Sequence, residues 1–162
     1  MLYRLAADLE SWEERGPTSP TALTESSYRA RLAAAASEAP GPDTQFVVEA
    51  DGVAVGSVSL FEFDQLARHA EVGIALVSEA RGKGIGTAAI AQIVEFAFIR
   101  CNLRRVHLEA IASNVGAVRA YQKIGFVLEG RQREHAWVRG GYEDIVRMGL
   151  LRSEWQSRHE GS

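Results

Sequence analysis

The stretch Arg81-Gly82-Lys83-Gly84-Ile85-Gly86-Thr87 lies between two segments with different hydrophobic periods. Before it, apolar residues alternate over 70–77, which predicts a strand. After it, apolar residues recur at helical spacing over 84–100, which predicts an amphipathic helix. Alternation returns over 105–110 and predicts another strand. Because strand, helix and strand follow one another in this order, the sequence predicts one parallel crossover.

The segments on either side of this unit complete a mixed sheet. Upstream, residues 45–50 and 53–60 are strand-like runs that flank Asp51-Gly52, a two-residue hairpin turn. The connections among the first three strands are too short for crossovers, so we expect those strands to be antiparallel. Downstream, the pattern predicts a helix followed by a hairpin of two strands, over 115–124, 126–138 and 142–151. The predicted fold class is therefore α/β (α+β), with a mixed sheet of parallel and antiparallel strands.

The front of the chain carries weaker patterns. Met1–Leu5 is predicted to be a short strand, and helices are predicted over 8–15 and 24–37. Pro40-Gly41-Pro42 indicates a hinge into the sheet, because too little chain precedes it to fold alone.

Length and composition fit one globular domain. The chain has 162 residues, of which 46% are hydrophobic and 24% charged, with a formal net charge of −3. We expect a single domain over 1–162, with a variable helical front end (1–44) and a core (45–155).

Several classes of protein and site are excluded by what the sequence lacks. Cys101 is the only cysteine, which excludes intramolecular disulfides and cysteine-based zinc sites, and no metal is predicted. The sequence has no long block of like charge, which would indicate a nucleic-acid partner. It also has no run of about 18 apolar residues, which would indicate a membrane span. The absence of a signal-like segment and of a disulfide set predicts a cytoplasmic location.

The glycine-rich stretch is suited to an anion such as a phosphate. Glycines let backbone N–H groups approach a ligand, the helix start adds unpaired N–H groups, and Arg81 and Lys83 add positive charge. The stretch does not match a Walker A loop, because Gly82-Lys83 is followed by Gly84 rather than by Ser or Thr. The stretch does not match the Rossmann fingerprint G-x-G-x-x-G either, because its glycine spacing is G-x-G-x-G and no second βαβ half follows. A glycine-rich turn without a ligand remains an alternative.

A second motif, Asn114-Val115-Gly116-Ala117-Val118-Arg119-Ala120-Tyr121-Gln122-Lys123-Ile124-Gly125-Phe126, follows the next predicted strand. With Arg81, Gly84 and Gly86 it resembles the GCN5-related N-acetyltransferase (GNAT) superfamily. That family combines an acyl-CoA loop, Arg/Gln-x-x-Gly-x-Gly/Ala, with Asn-x-x-Ala-x-x-x-Tyr-x-x-x-Gly-Phe. The resemblance covers 45–155 and is nearest to the branch of ribosomal-protein and polyamine N-acetyltransferases. The short front end departs from the family pattern.

The resemblance implies a centrally splayed sheet of six or seven strands with about four helices. It implies an acyltransferase that uses acetyl-CoA as co-substrate and acetylates a primary amine by direct attack in a ternary complex. A polyamine, a protein N-terminus and another small amine all remain open as acceptors. A homodimer is common in this branch. The alternatives are a non-catalytic acyl-CoA-binding or sensing module and, more weakly, a nucleotide-phosphate binder.

The resemblance also implies site residues. Tyr121 is the expected acid for the departing thiolate, and Glu71 is the expected base for the amine. His69 is a weaker substitute for Glu71, and His107 and His135 qualify only if they face the cleft. Glu62, Asp64 and Glu71 are candidates for an acidic patch that attracts a cationic amine. Asn114 lies near the pantetheine arm in the family, or is a simple helix cap. The expected cofactor-binding residues are Ile74, Ala75, Leu76, Arg81, Gly82, Lys83, Gly84, Ile85, Gly86, Thr87, Asn114 and Tyr121.

Overall fold

The elements follow the order that the hydrophobic periods predict. The computed structural model describes residues 2–8, 23–37 and 43–160. In chain order the elements are α1 (Leu2–Ala7), α2 (Glu25–Ser37), β1 (Thr44–Ala50), β2 (Val53–Asp64), β3 (His69–Leu76), a 3-10 turn (Ser78–Ala80), α3 (Ile85–Ile99), β4 (Arg105–Ile111), α4 (Val115–Ile124), β5 (Val127–Val138), β6 (Gly141–Leu151) and α5 (Arg152–Glu160).

The strands of the described residues form one six-stranded sheet in the order β1-β2-β3-β4-β6-β5. β3 and β4 are parallel, and every other neighbouring pair is antiparallel. α3 is the crossover between the two parallel strands. The predicted hairpin at Asp51-Gly52, the antiparallel first half and the single parallel crossover are thus confirmed.

The main core lies between α3 and one face of the sheet. α3 is apolar on most sides, and its residues Ile90, Ile93, Val94, Ala97 and Phe98 are almost fully buried. They belong to one cluster with the inward side chains of the central strands, among them Val72, Val106, Leu108, Met148 and Leu150. Because each buried large aliphatic side chain contributes about 1.5–3 kcal/mol, this cluster fixes α3 and the loop before it against the sheet.

At the front of the chain, the structure contradicts the predicted strand and confirms the second predicted helix. The predicted strand at Met1–Leu5 is wrong, because Leu2–Ala7 form α1. The ring of Tyr3 packs 5.9 Å from that of Tyr28 on α2, and its hydroxyl donates a hydrogen bond of 3.2 Å to the Leu23 carbonyl. A weak pattern over five residues is too short to outweigh such contacts. The predicted helix at 24–37 is confirmed, whereas most of the predicted helix at 8–15 lies outside the described residues.

Candidate active site

The two parallel strands separate soon after they meet. β3 and β4 pair only at His69 with Arg105, Ala70 with Val106 and Glu71 with His107. β3 then continues to Leu76 and β4 to Ile111 without further pairing between them. The sheet therefore opens into a V-shaped gap, with Glu71 and His107 at its closed end. One backbone edge of β3 faces this gap, which is the central splay that the resemblance implied.

The glycine loop lies beyond the open end of β3 and leads into α3. Gly84 is the N-cap residue of α3 with φ 80°, and Gly82 has φ 71°. At either position an added Cβ would have no heavy atom within 4 Å, so the space beside the loop backbone is open. Unpaired N–H groups and the positive end of the helix dipole meet there. The loop therefore fits a pyrophosphate group.

Two residues attach this loop and the end of β3 to their surroundings. The Nε of Arg81 donates a hydrogen bond of 3.1 Å to the Leu76 carbonyl, so Arg81 ties the loop to the last residue of β3. On the other side, Gly56 of β2 pairs with Leu76, and a Cβ on Gly56 would lie 2.1 Å from the Ala75 carbonyl oxygen. β2 approaches the end of β3 this closely only because residue 56 has no side chain.

A cleft of about 750 Å³ fills the gap. Ten of the twelve predicted cofactor-binding residues line it: Ile74, Ala75, Leu76, Arg81, Gly82, Gly84, Gly86, Thr87, Asn114 and Tyr121. Lys83 and Ile85 do not. Lys83 is exposed, and Ile85 packs against the core and lines a second cavity of about 460 Å³ between β1 and α3.

Some lining residues were not predicted. Arg119 of α4 lines the cleft one turn from Lys123, so both cations lie on the cleft side of that helix. The four-residue spacing of Arg119 and Lys123 in the sequence could have predicted that both lie on one side of α4. Val138, Arg139 and Glu143 come from the β5–β6 hairpin, and no local pattern places that hairpin beside the cleft.

Tyr121 lies on α4 against the cleft wall. Its ring centroid is 6.2 Å from that of Phe126, and it packs against the main core. Burial raises the pKa of the Tyr121 phenol to about 12. The hydroxyl is therefore protonated at neutral pH and can donate a hydrogen bond into the cleft.

Asn114 caps the helix that carries Tyr121. Its Oδ1 accepts a hydrogen bond of 3.1 Å from the Ala117 backbone N–H at the start of α4. This is the simple helix-cap role. Asn114 also lines the cleft, so it fixes α4 at the point where that helix meets the proposed cofactor.

Glu71 occupies the closed end of the gap and is mostly buried. Its Oε2 lies 3.7 Å from Nε2 of His107. The pKa of Glu71 is raised from 4.5 to about 7, first by burial and then by the charges of Glu109 and Glu62, while Arg147 acts in the opposite direction. A carboxyl group with this pKa accepts a proton readily near neutral pH. Glu71 is not one of the residues that line the cleft itself.

Of the other candidate proton carriers, His69 and His107 lie beside each other, whereas His135 lies on β5. The ring of His69 lies edge to face with that of His107, at a centroid distance of 5.2 Å. His135 is exposed on β5, which is an edge strand of the sheet. Of the proposed acidic patch, Glu62 is near enough to raise the pKa of Glu71, and Asp64 lies 3.9 Å from His69.

Two further features of the described part of the chain bear on function. Within residues 2–8, 23–37 and 43–160, no helix has the length and hydropathy needed to cross a membrane. Those residues also hold no group of three or more His, Cys, Asp or Glu side chains suited to a metal ion.

The chain is similar to known acetyltransferases. Residues 6–126 match the family model described as the Acetyltransferase (GNAT) family. YdaF of Bacillus subtilis, a putative ribosomal N-acetyltransferase, is 38% identical over 106 residues, which are 65% of this chain and 58% of that protein. Spermidine N(1)-acetyltransferase of Vibrio cholerae is 34% identical over 119 residues, 73% of this chain and 69% of that protein. The match thus spans less than two thirds of the Bacillus protein's length.

Solved structures agree with the sequence matches. The crystal structure of spermidine N-acetyltransferase from Vibrio cholerae, in complex with CoA and spermine, superposes with a TM-score of 0.84 at 25% identity. The superposition covers 95% of this chain and 89% of that one. The predicted fold and the predicted family branch are both confirmed. On its motifs, its splayed sheet and these matches, the chain belongs to the GNAT acetyltransferase family.

Proposed function

We propose that this protein is an acetyl-CoA-dependent N-acetyltransferase that acetylates a primary amine by direct attack in a ternary complex. The observation that carries the proposal is the early end of the β3–β4 pairing. It opens a cleft between the glycine loop and Tyr121, and it leaves Glu71 at the closed end. A phosphate cradle, a hydrogen-bond donor and a base thus converge on one gap.

The cleft offers a site for each part of acetyl-CoA. The backbone N–H groups of residues 82–87 would hold the pyrophosphate, and the free backbone edge at Ile74–Leu76 would pair with the pantetheine arm. Arg119 and Lys123 line the same cleft and add positive charge. Acetyl-CoA, as co-substrate, supplies an acetyl group activated as a thioester. The protein supplies position, a base and a hydrogen-bond donor.

Glu71 would act as the base. An amine is an ammonium ion at neutral pH and cannot attack a carbonyl until it loses a proton. Because the pKa of Glu71 is about 7, a large fraction of the side chain is ionised near neutral pH, yet it binds a proton more tightly than an ordinary glutamate. That balance is what general base catalysis requires.

Tyr121 would stabilise the departing sulfur. A cysteine-like thiol has a pKa of about 8.5, so a phenol with a pKa of about 12 does not transfer its proton completely to a thiolate. The hydroxyl instead donates a hydrogen bond to the sulfur as negative charge develops. The proton that neutralises the thiolate can then come from the attacking nitrogen through the same hydroxyl.

A polyamine is the acceptor class that we propose. Glu62, Asp64 and Glu71 lie along β2 and β3 on the Glu71 side of the gap. Arg105 and Arg147, which lie on this face, are held by other carboxylates, since Arg105 pairs with Glu129 and Arg147 with Glu109 at 2.6 Å. The spermidine N-acetyltransferase structure with CoA and spermine supports the same class.

Release of free CoA thiol with a panel of amines tests the proposal. The panel comprises spermidine, propylamine and a peptide with a free N-terminus, and acetyl-CoA binding is measured in parallel. We expect amine-dependent thiol release, fastest with spermidine, and a mass increase of one acetyl group on the amine. Binding of acetyl-CoA without release above background would favour the sensing module. A thermal shift with ATP but none with CoA would favour the nucleotide binder.

We further propose that residues 1–162 form one domain and that the protein is a homodimer. We also propose a cytoplasmic location, which fits acetyl-CoA as co-substrate. Light scattering on the purified chain measures the oligomeric state directly.

A further inference from the structure

A line of titratable side chains leads from Glu71 towards solvent. The side chain of Glu71 is 19% exposed, that of His107 25%, that of His69 32% and that of Asp64 47%. The Oε2 of Glu71 lies 3.7 Å from the Nε2 of His107, the two imidazole centroids lie 5.2 Å apart, and the Nε2 of His69 lies 3.9 Å from the Oδ2 of Asp64. Exposure therefore rises at each step away from the gap.

The sheet register places these four residues on one face. Glu71 and His107 form the last pair of the parallel β3–β4 ladder. His69 precedes Glu71 by two residues, so both side chains point to the same side of the sheet. Asp64 lies opposite His69 on β2, next to an irregularity in the β2–β3 pairing. The four groups thus belong to three adjacent strands at the closed end of the gap.

One atom in this line has no partner within the described residues. The Nδ1 of His69 is buried and makes no hydrogen bond. Buried polar atoms in folded proteins are nearly always paired, so an unpaired ring nitrogen in this position requires an explanation. A nitrogen that exchanges a proton with a neighbour or with a transient water provides one.

We propose that His107, His69 and Asp64 form a proton exit path from Glu71 to solvent. The inference rests on the proposed function, because the cargo is the proton that the acceptor ammonium loses before attack. The overall reaction turns an ammonium and a thioester into an amide, a thiol and one released proton. One nitrogen proton goes to Glu71 and leaves by this path, while a second reaches the sulfur, so protons and charge balance.

The spacing defines how the path works. The gaps of 3.7 Å between Glu71 and His107 and 3.9 Å between His69 and Asp64 are longer than a direct hydrogen bond, so these two transfers take a bridging water or a small side-chain rotation. Burial and the positive charges of His69 and Arg105 lower the pKa of His107, which keeps it neutral and able to accept when Glu71 is protonated. His107 therefore passes the proton on rather than retaining it.

Other charged groups also act on this path. From the strands packed around it they are Glu62 of β2, Arg105 and Glu109 of β4, Arg147 of β6 and Glu129 of β5. Arg105 and Arg147 are each paired to a carboxylate, which offsets their charges, whereas Glu62 adds a negative charge beside Glu71. None of these groups continues the line from Glu71 to the exposed Asp64.

The first test is the response of turnover to an external proton carrier. With saturating acetyl-CoA and spermidine, His107→Gln should lower kcat about tenfold while leaving acetyl-CoA affinity unchanged. Added imidazole at constant pH and ionic strength should restore kcat severalfold in His107→Gln and have no effect on the wild type. His135→Gln, a substitution of an exposed strand histidine, is the matched control and should behave as wild type.

The second test needs no turnover. In the free wild-type protein, the NMR titration of the His107 ring should show an inflection near pH 7, where Glu71 titrates, in addition to its own. Interacting sites share their titration steps, so the inflection should vanish in Glu71→Gln. A His107 titration unchanged by that substitution would overturn the coupling on which the path depends.

The outcomes separate the path from the enzyme. Wild-type turnover in His107→Gln, or a loss that imidazole does not restore, would refute the exit path and leave the acetyltransferase proposal intact. A wild-type protein that releases no CoA with any amine would refute the proposed function and with it the cargo of the path.

Discussion

Glu71→Gln should stabilise the folded protein above pH 7 while it lowers turnover. The raised pKa of Glu71 means that the folded state resists ionisation of this side chain. Below pH 4.5 the group is protonated in both folded and unfolded chains, so it has no effect on the free energy of unfolding. As pH rises from 4.5 to about 7, the unfolded chain ionises first, and the fold loses stability. Well above pH 7 the loss is complete and constant.

The magnitude follows from the size of the pKa change. At about 1.36 kcal/mol for each pKa unit, a rise from 4.5 to about 7 corresponds to roughly 3 kcal/mol. Glutamine does not ionise, so Glu71→Gln should escape this penalty. The variant should be more stable than wild type by roughly 3 kcal/mol at pH 8, relative to their difference at pH 4. Without a base, its turnover should fall 10²- to 10⁴-fold.

Urea unfolding of both proteins between pH 4 and pH 8.5 measures this difference, and thiol release with spermidine measures turnover. Glu95→Gln, which removes an exposed carboxylate on α3, is the control and should show little pH-dependent change. A stability difference between wild type and Glu71→Gln that does not grow between pH 4.5 and pH 7 would refute the account of Glu71. Wild-type turnover in the variant would remove Glu71 as the base.

The remaining predictions concern the cleft. Gly84→Asp should weaken acetyl-CoA binding by at least about tenfold relative to Gly84→Asn in calorimetry, because both residues tolerate positive φ but only aspartate repels a pyrophosphate; equal affinities would remove the loop from the site. Tyr121→Phe should lower kcat by about 10²-fold with nearly unchanged acetyl-CoA affinity; a wild-type kcat at saturating substrate would exclude a role for the hydroxyl. Gly56→Ala should weaken acetyl-CoA binding and lower stability by more than about 1 kcal/mol, because its Cβ meets the Ala75 carbonyl. Gly130→Ala, which has open space, is its control, and equal effects would contradict this account of Gly56.

Local patterns predicted the sheet well because they are set by neighbours in sequence. The Asp51-Gly52 turn fixes its hairpin, and the change of period after residue 84 marks the crossover helix. α1 was missed, because the packing of Tyr3 against Tyr28 outweighs the weak pattern of the first five residues. The glycine loop and Tyr121 were predicted for the same local reason, since each belongs to a motif with fixed spacing, and the structure places both beside the cleft.

The rest of the site depends on register, which short patterns do not specify. Glu71 meets His107 only because the register of the parallel ladder places the two residues opposite each other. Arg139 and Glu143 reach the cleft through a hairpin whose pairing shifts register twice, so their position could not be read from alternation. The side chain of Ile85 packs against the core, because the first turn of α3 buries one side, so only the backbone of this residue is available to the cofactor.

A crystal structure of the protein with CoA and spermidine tests the central claim most directly, since it locates both reacting groups. We predict that the CoA sulfur lies in the gap between β3 and β4, within hydrogen-bond reach of the Tyr121 hydroxyl. We also predict that a primary amine of spermidine lies on the Glu71 side, within reach of that carboxylate directly or through one water. CoA bound outside this gap, or an amine bound away from Glu71, would contradict the account.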